Sequence, residues 1–81
     1  MIEPTQIVAA RALLEWDQKT LAKHAGLSVS TIVRAETGDG ILLASIRDIE
    51  RAIFSAGVKF TESGGVDWRE GFPKHEGGEN G

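Results

Sequence analysis

Hydrophobic positions in this chain recur first at intervals of three and four and then, toward the end, at intervals of two. Ile7, Ala10 and Leu14 keep the helical interval behind Pro4, whose fixed φ suits a first helical turn, and Glu3 sits where the positive end of a helix favours an acid. A first helix is predicted over residues 4 to 15, interrupted at Trp16. Leu21, Ala22 and Ala25 give residues 18 to 25 a narrow apolar face, small enough for another helix to approach closely. Ile32 and Ala35 mark a third helix over residues 29 to 37, leaving Val29, Ser30, Val33 and Arg34 on the opposite side. Ile46, Ile49, Ile53 and Ala56, with Arg47, Asp48, Glu50 and Arg51 around them, mark a fourth over residues 43 to 56, closed by Gly57, whose stripe completes the core.

The punctuation between these helices is specific. Asp17 and Ser28 stand where a side-chain oxygen can accept a free N–H of the second and third helices, and Gly26 and Gly38 stand where the chain must turn left-handed to leave them. Two short helices joined by so tight a turn form a helix-turn-helix, the arrangement that lays its second helix in a DNA major groove. After Gly57, Val58 and Phe60 alternate with Lys59 and Thr61, and Val66 and Trp68 alternate with Asp67 and Arg69 across Ser63-Gly64-Gly65. This is a hairpin over residues 58 to 69, which needs the helices or a second copy of itself to lie against. From residue 70 to 81, Gly, Glu, Lys and Asn around Pro73 read as a disordered tail.

Composition narrows the function. The 81 residues, 41% of them apolar, suffice for one small mainly helical domain and not for a second lobe with an active-site cleft between, so an enzyme is not expected. No cysteine is present, and His24 and His75 are far apart, so neither a disulfide framework nor a metal site is expected, and no cofactor. No stretch approaches ~20 apolar residues and no secretory leader is recognisable, so the expectation is a soluble, cytoplasmic protein without a membrane partner. Nine basic and twelve acidic side chains leave a net charge of −3, an awkward balance for a nucleic-acid ligand. Two of the three excess negative charges fall in residues 70 to 81, and Lys19, Lys23 and Arg34 can make one face locally positive.

Residues 11 to 38 resemble the helix-turn-helix domain of the lambda-repressor-like, or XRE, family of transcriptional regulators. The resemblance is carried by Arg11, Gln18, Leu21-Ala22, Ala25-Gly26-Leu27-Ser28, Ser30-Thr31-Ile32, and Glu36 two residues before Gly38. It covers about half the chain strongly and continues more weakly through the fourth helix, and Ala56-Gly57-Val58-Lys59-Phe60 looks like the strand that small regulators of this type append. It implies a mainly α, four-helix lambda-repressor-like domain with a C-terminal β-hairpin over residues 1 to 69. It also implies base contacts from Val29, Ser30, Val33 and Arg34, and a phosphate contact from Gln18. An internal ion pair between Arg11 and Glu36 is a further implication. Lys19, Lys23 and Thr37 are placed for phosphate, whereas Asp39 departs from the basic residue common near that point. Chemistry narrows the base contacts: Arg34 can grip guanine O6 and N7, Ser30 discriminates weakly, and the valines suit thymine methyl groups.

Plainer roles stand beside these. Arg34, Lys19 and Lys23 can be solvated charges, Gln18 an ordinary first-turn residue, and His24 a surface residue. Trp16 and Trp68 are packing anchors first, and Val29 with Val33 can pack on a protein as well as on DNA. The reading these residues favour is a sequence-specific regulator that binds double-stranded DNA as a homodimer on a near-palindromic operator, with Phe60, Val66 and Trp68 as possible dimer contacts. The alternative is a protein-binding antiactivator or antitoxin module on the same scaffold, meeting a regulatory protein partner; the acidic balance and the valines favour it.

Overall fold

The computed structural model describes residues 2 to 72 as four helices followed by a two-stranded antiparallel sheet. The elements are α1 (Pro4–Leu14), α2 (Gln18–Ala25), α3 (Val29–Thr37), α4 (Leu43–Ser55), β1 (Val58–Phe60) and β2 (Val66–Trp68). Short-range chemistry sets most of the boundaries. Asp17 accepts the Thr20 N–H at 2.7 Å to open α2, and Ser28 Oγ accepts the Thr31 N–H at 3.2 Å to open α3. Gly26 (φ 72) and Gly38 (φ 76) close the same two helices in the left-handed region.

Two boundaries differ from the spacing. α1 stops at Leu14 because Glu15 leaves it at φ 59, ψ 40, with its N–H and that of Trp16 returning to the Ala12 and Arg11 carbonyls. A glutamate there carries a backbone cost of roughly 1 to 2 kcal/mol that glycine would avoid. α4 ends at Ser55 rather than at residue 56; Ala56 stays right-handed as its cap, and Gly57 (φ 110) redirects the chain into β1.

Ile7, Leu21, Ile32, Ile49, Ile53 and Val58 are fully buried, and Ala10, Ala22, Ala25, Ala35 and Ala52 fill the narrow spaces between helices. Each large side chain contributes roughly 1.5 to 3 kcal/mol by leaving water. That burial is what holds α2 and α3, since helices of eight and nine residues do not persist alone. α2 packs on α3 and α4, α1 packs on α3, and the hairpin lies on α1 and α4.

The hairpin is tied down by a polar residue inside the core. Gln6, 4% exposed, donates from Nε2 to the Gly65 carbonyl at 2.9 Å, and its Oε1 accepts the Glu3 N–H at 2.8 Å. One side chain thus joins the start of α1 to the turn between β1 and β2, which pair with Val58 opposite Trp68 and Phe60 opposite Val66. Beyond β2 the ordered chain runs further than the sequence pattern indicates. Arg69 donates its N–H to the Gly57 carbonyl at 2.8 Å and Nη1 to the Phe54 carbonyl at 2.9 Å. Its guanidinium lies 4.0 Å from the Phe54 ring centre and 4.7 Å from that of Phe72. Of the tail expected from residue 70, Phe72 packs against this arginine, and residues 73 to 81 lie outside the described residues. No helix among the described residues is long and apolar enough to cross a membrane.

Candidate nucleic-acid interface

The orientation of α3 is set from its C-terminal turn. Arg11 on α1 grips Glu36 through both prongs of its guanidinium, Nε to Oε2 at 2.6 Å and Nη2 to Oε1 at 3.0 Å, while Nη1 donates to the Trp16 carbonyl at 3.1 Å. Glu36 is only 7% exposed in its side chain and Arg11 19%, so this pair is largely withdrawn from water. Hydrogen bonding to Glu36 raises the Arg11 pKa above its ordinary value despite the opposing effect of burial, with the Glu36 and Asp17 charges adding to the rise. A raised basic pKa contributes stability at all pH values below the ordinary arginine range, so the cationic side of this contact does not titrate where proteins are folded.

Gln18 enters the same network. Its Nε2 donates to Glu36 Oε1 at 3.0 Å, so the side chain expected on phosphate spends a donor inside the domain. Three elements, α1, the first turn of α2 and the last turn of α3, therefore converge on one carboxylate. α3 is held to α1 by a fork of charge-assisted bonds, stronger than neutral ones, and to α2 by the single Gln18 bond.

The outer face of α3 is turned away from all of this. Ile32 and Ala35 are buried, whereas Ser30 and Arg34 are exposed and Val29 and Val33 are 41% and 39% exposed. Ser28 Oγ lies 3.1 Å from Ser30 Oγ and 2.9 Å from Thr31 Oγ1, so the Ser30 hydroxyl is held near the cap rather than swinging freely. Among the described residues no carboxylate pairs with Arg34. Thr37 is exposed, but its Oγ1 donates to the Arg34 carbonyl at 3.1 Å, leaving its lone pairs outward. Lys19 and Lys23 are exposed, four residues apart on α2. Asp17 lies two residues before Lys19, and its pKa is lowered by the side-chain and backbone hydrogen bonds to Thr20, with Lys19 and Arg11 assisting. Asp39 is exposed just past α3 and remains an acid where a base would suit phosphate better.

Beside Arg34 an open cleft of about 250 Å3 is lined by Thr31, Arg34, Gly40, Ile41, Leu42 and Ser45. Of its lining, Leu42 is 74% exposed, and the next residue, Leu43, is 50% exposed. Sequence reading passed over both leucines because they fall in a loop and a first helical turn, outside any stripe; two consecutive large apolar residues before the α4 pattern were the available signal. Phe60, Val66 and Trp68 are half-buried and packed on the chain's own core, so the helices already supply the surface the hairpin needs. Trp16 packs on the core as well and stacks on exposed His24, ring centres 4.3 Å apart and planes 10° from parallel. Among the described residues no cluster of three metal-ligating side chains is present. No protein-family model matches the chain, and no curated protein matches it significantly.

Proposed function

We propose that this chain is a sequence-specific DNA-binding transcriptional regulator of the lambda-repressor-like kind, a binding module rather than an enzyme, acting in the cytoplasm as a homodimer on a near-palindromic operator. The observation that carries the reading is α3 itself: capped at both ends, locked through Glu36, and presenting Arg34, which pairs with no carboxylate among the described residues, on the same outer side as two half-exposed valines. A helix held this firmly loses little entropy on docking, which is what a reading helix with few contacts requires. Arg34 takes a guanine through O6 and N7, Val29 and Val33 take thymine methyl groups, and Ser30 takes a base edge with little discrimination. Lys19, Lys23 and Thr37 flank the phosphates, joined by whichever Gln18 amide hydrogen Glu36 does not use.

The test is a salt titration on labelled duplexes from the neighbouring promoter regions. Affinity should fall steeply with salt as counterions are released, and Arg34→Ala should weaken binding by about 1 to 3 kcal/mol and relax preference at one base position. Absence of binding at low salt, or an unchanged footprint in the variant, overturns the reading. One observation favours the second reading, a protein-binding module: Val29 and Val33 on α3 and Leu42 in the cleft beside Arg34 leave apolar surface exposed. Under that reading Val29→Ser with Val33→Ser abolishes a salt-insensitive protein contact, and Arg34→Ala leaves it intact.

A further inference from the structure

The partly exposed flank of α4 carries a self-complementary pattern. At 100° per residue, Leu43, Arg47, Glu50 and Phe54 fall within about 60° of one another on the helix circumference, beside the buried stripe of Ile46, Ile49, Ala52 and Ile53. Leu43 and Phe54, 50% and 49% exposed, stand at the two ends of this line, and the two charges stand between them. Neither charge forms an ion pair among the described residues, where the pairs are Arg11 with Glu36 and Arg51 with Asp48. Glu50 faces an open acidic groove that Glu3 and Glu62 also line, with no cation among the lining residues. It is a carboxylate in negative surroundings, one turn from Arg47, with which it forms no ion pair.

We propose that this line is the two-fold interface of the regulator, with α4 packed antiparallel on α4 of a second copy. The inference rests on the homodimer part of the proposed function. An antiparallel two-fold centred between Asp48 and Ile49 sets each residue opposite the one at the mirrored position of its partner. Leu43 then meets Phe54, Arg47 meets Glu50, and both contacts occur twice, as an isologous interface demands. Arg47 enters the acidic groove and neutralises it, while the apolar pairs at both ends, about 16 Å apart along the helix, exclude water from the charged centre. The Arg69 guanidinium backs the Phe54 ring from inside the chain, so this aromatic anchor is already oriented before association. A seam of three turns is small for a stable interface, which makes the dimer one of moderate affinity.

Two charge variants, separate and mixed, test the pairing without relying on intrachain repair. Arg47→Glu gives two acids on the line and Glu50→Arg gives two bases; each chain alone brings like charges together twice and should raise the dimer dissociation constant at least about tenfold. Mixed in equal amounts, the two chains are complementary at both contacts and should recover a heterodimer, read by native mass spectrometry and by light scattering after size exclusion. An intrachain role for either residue predicts no such recovery, because each chain stays like-charged internally. Leu43→Glu, which is favourable at a helix N-terminus and so keeps the monomer folded, should dissociate the dimer as well. Single variants as dimeric as the parent, or a mixture that stays monomeric, overturn this interface and leave the dimeric regulator standing elsewhere on the surface. A parent chain that is monomeric both alone and on DNA overturns the interface together with the homodimer, while duplex binding itself is decided separately by the salt titration.

Discussion

Arg11→Ala removes three donors at once, two from Glu36 and one from the Trp16 carbonyl. What remains is a carboxylate 7% exposed, served by Gln18 alone at 3.0 Å, in a place water reaches poorly. Breaking a buried pair from one side costs about 3 to 5 kcal/mol. The surviving Gln18 bond and the 19% exposure on the arginine side put this site at the lower end, about 3 kcal/mol. For a domain of this size, whose whole stability is about 4 to 12 kcal/mol, that is a large share. Thermal denaturation followed by circular dichroism should show a midpoint lowered by roughly 12 to 24 °C. The double variant Arg11→Met with Glu36→Gln removes both charges while keeping an acceptor for Gln18, and should regain at least about 1 kcal/mol over the sum of the single losses. A midpoint within two or so degrees of the parent, or a coupling below about 0.5 kcal/mol, would mean that the fork does not lock α3, and the argument for a rigid reading helix would fall with it.

Other perturbations probe separate contacts. Lys23→Ala should reduce the slope of log affinity against log salt by about 1 with sequence preference unchanged, and an unaltered slope removes Lys23 from the phosphate contacts. Because the folded-state pKa of Asp17 is depressed, its cap contributes stability above the ordinary carboxylate pKa and loses it as pH falls through the lowered value. Acid denaturation of Asp17→Asn should therefore be flatter than the parent's in that window, and parallel curves would refute the cap's role. A Cβ at Gly57 would lie 2.4 Å from Phe72 Cδ2, at a φ of 110 that side chains avoid. Gly57→Ala should thus lower the midpoint and free the segment after β2 for proteolysis, while the same substitution in a Phe72→Ala background should cost less; equal losses in both backgrounds contradict the docking of Phe72.

What was legible in the sequence is what is local. The caps at Asp17 and Ser28 act across three residues, the turns at Gly26 and Gly38 need only their own φ, and the inward pair Ile32 and Ala35 follows from helical period. Those features also fix which side of α3 faces outward, so the placement of Val29, Ser30, Val33 and Arg34 was within reach. The contacts that escaped are joined across the fold. Gln6 bonds to a carbonyl 59 residues away, and only its position four residues before Ala10, on the inner stripe of α1, hinted at burial. Gln18 was read from its place at a helix start, but its partner Glu36 became visible only once α3 had been folded back on α2. Arg69 was read only as a polar position of the hairpin alternation and Phe72 carries no periodic signal, since an aromatic laid over a glycine depends on a shape that forms only when β2 returns beside α4.

The sparse reading face and the α4 line bear on one another energetically. On the proposed reading, a single α3 offers one strong base contact, and the discrimination attached to it, about 1 to 3 kcal/mol, cannot separate one operator from the many non-specific sites of a genome. Two copies held in fixed relation double that readout, and they double the contacts that Lys19, Lys23 and Arg34 can offer to DNA. A small dimer seam then has a consequence of its own. Where monomer and dimer are both populated, the concentration of the competent form varies with the square of the monomer concentration, so operator occupancy rises more steeply than for a simple one-site ligand. A tighter seam would remove that steepness, and a missing seam would remove specificity. On this account the acidic net charge, the short interface and the single reading arginine belong together: each keeps the monomer's hold on DNA weak enough that association of the two copies decides occupancy.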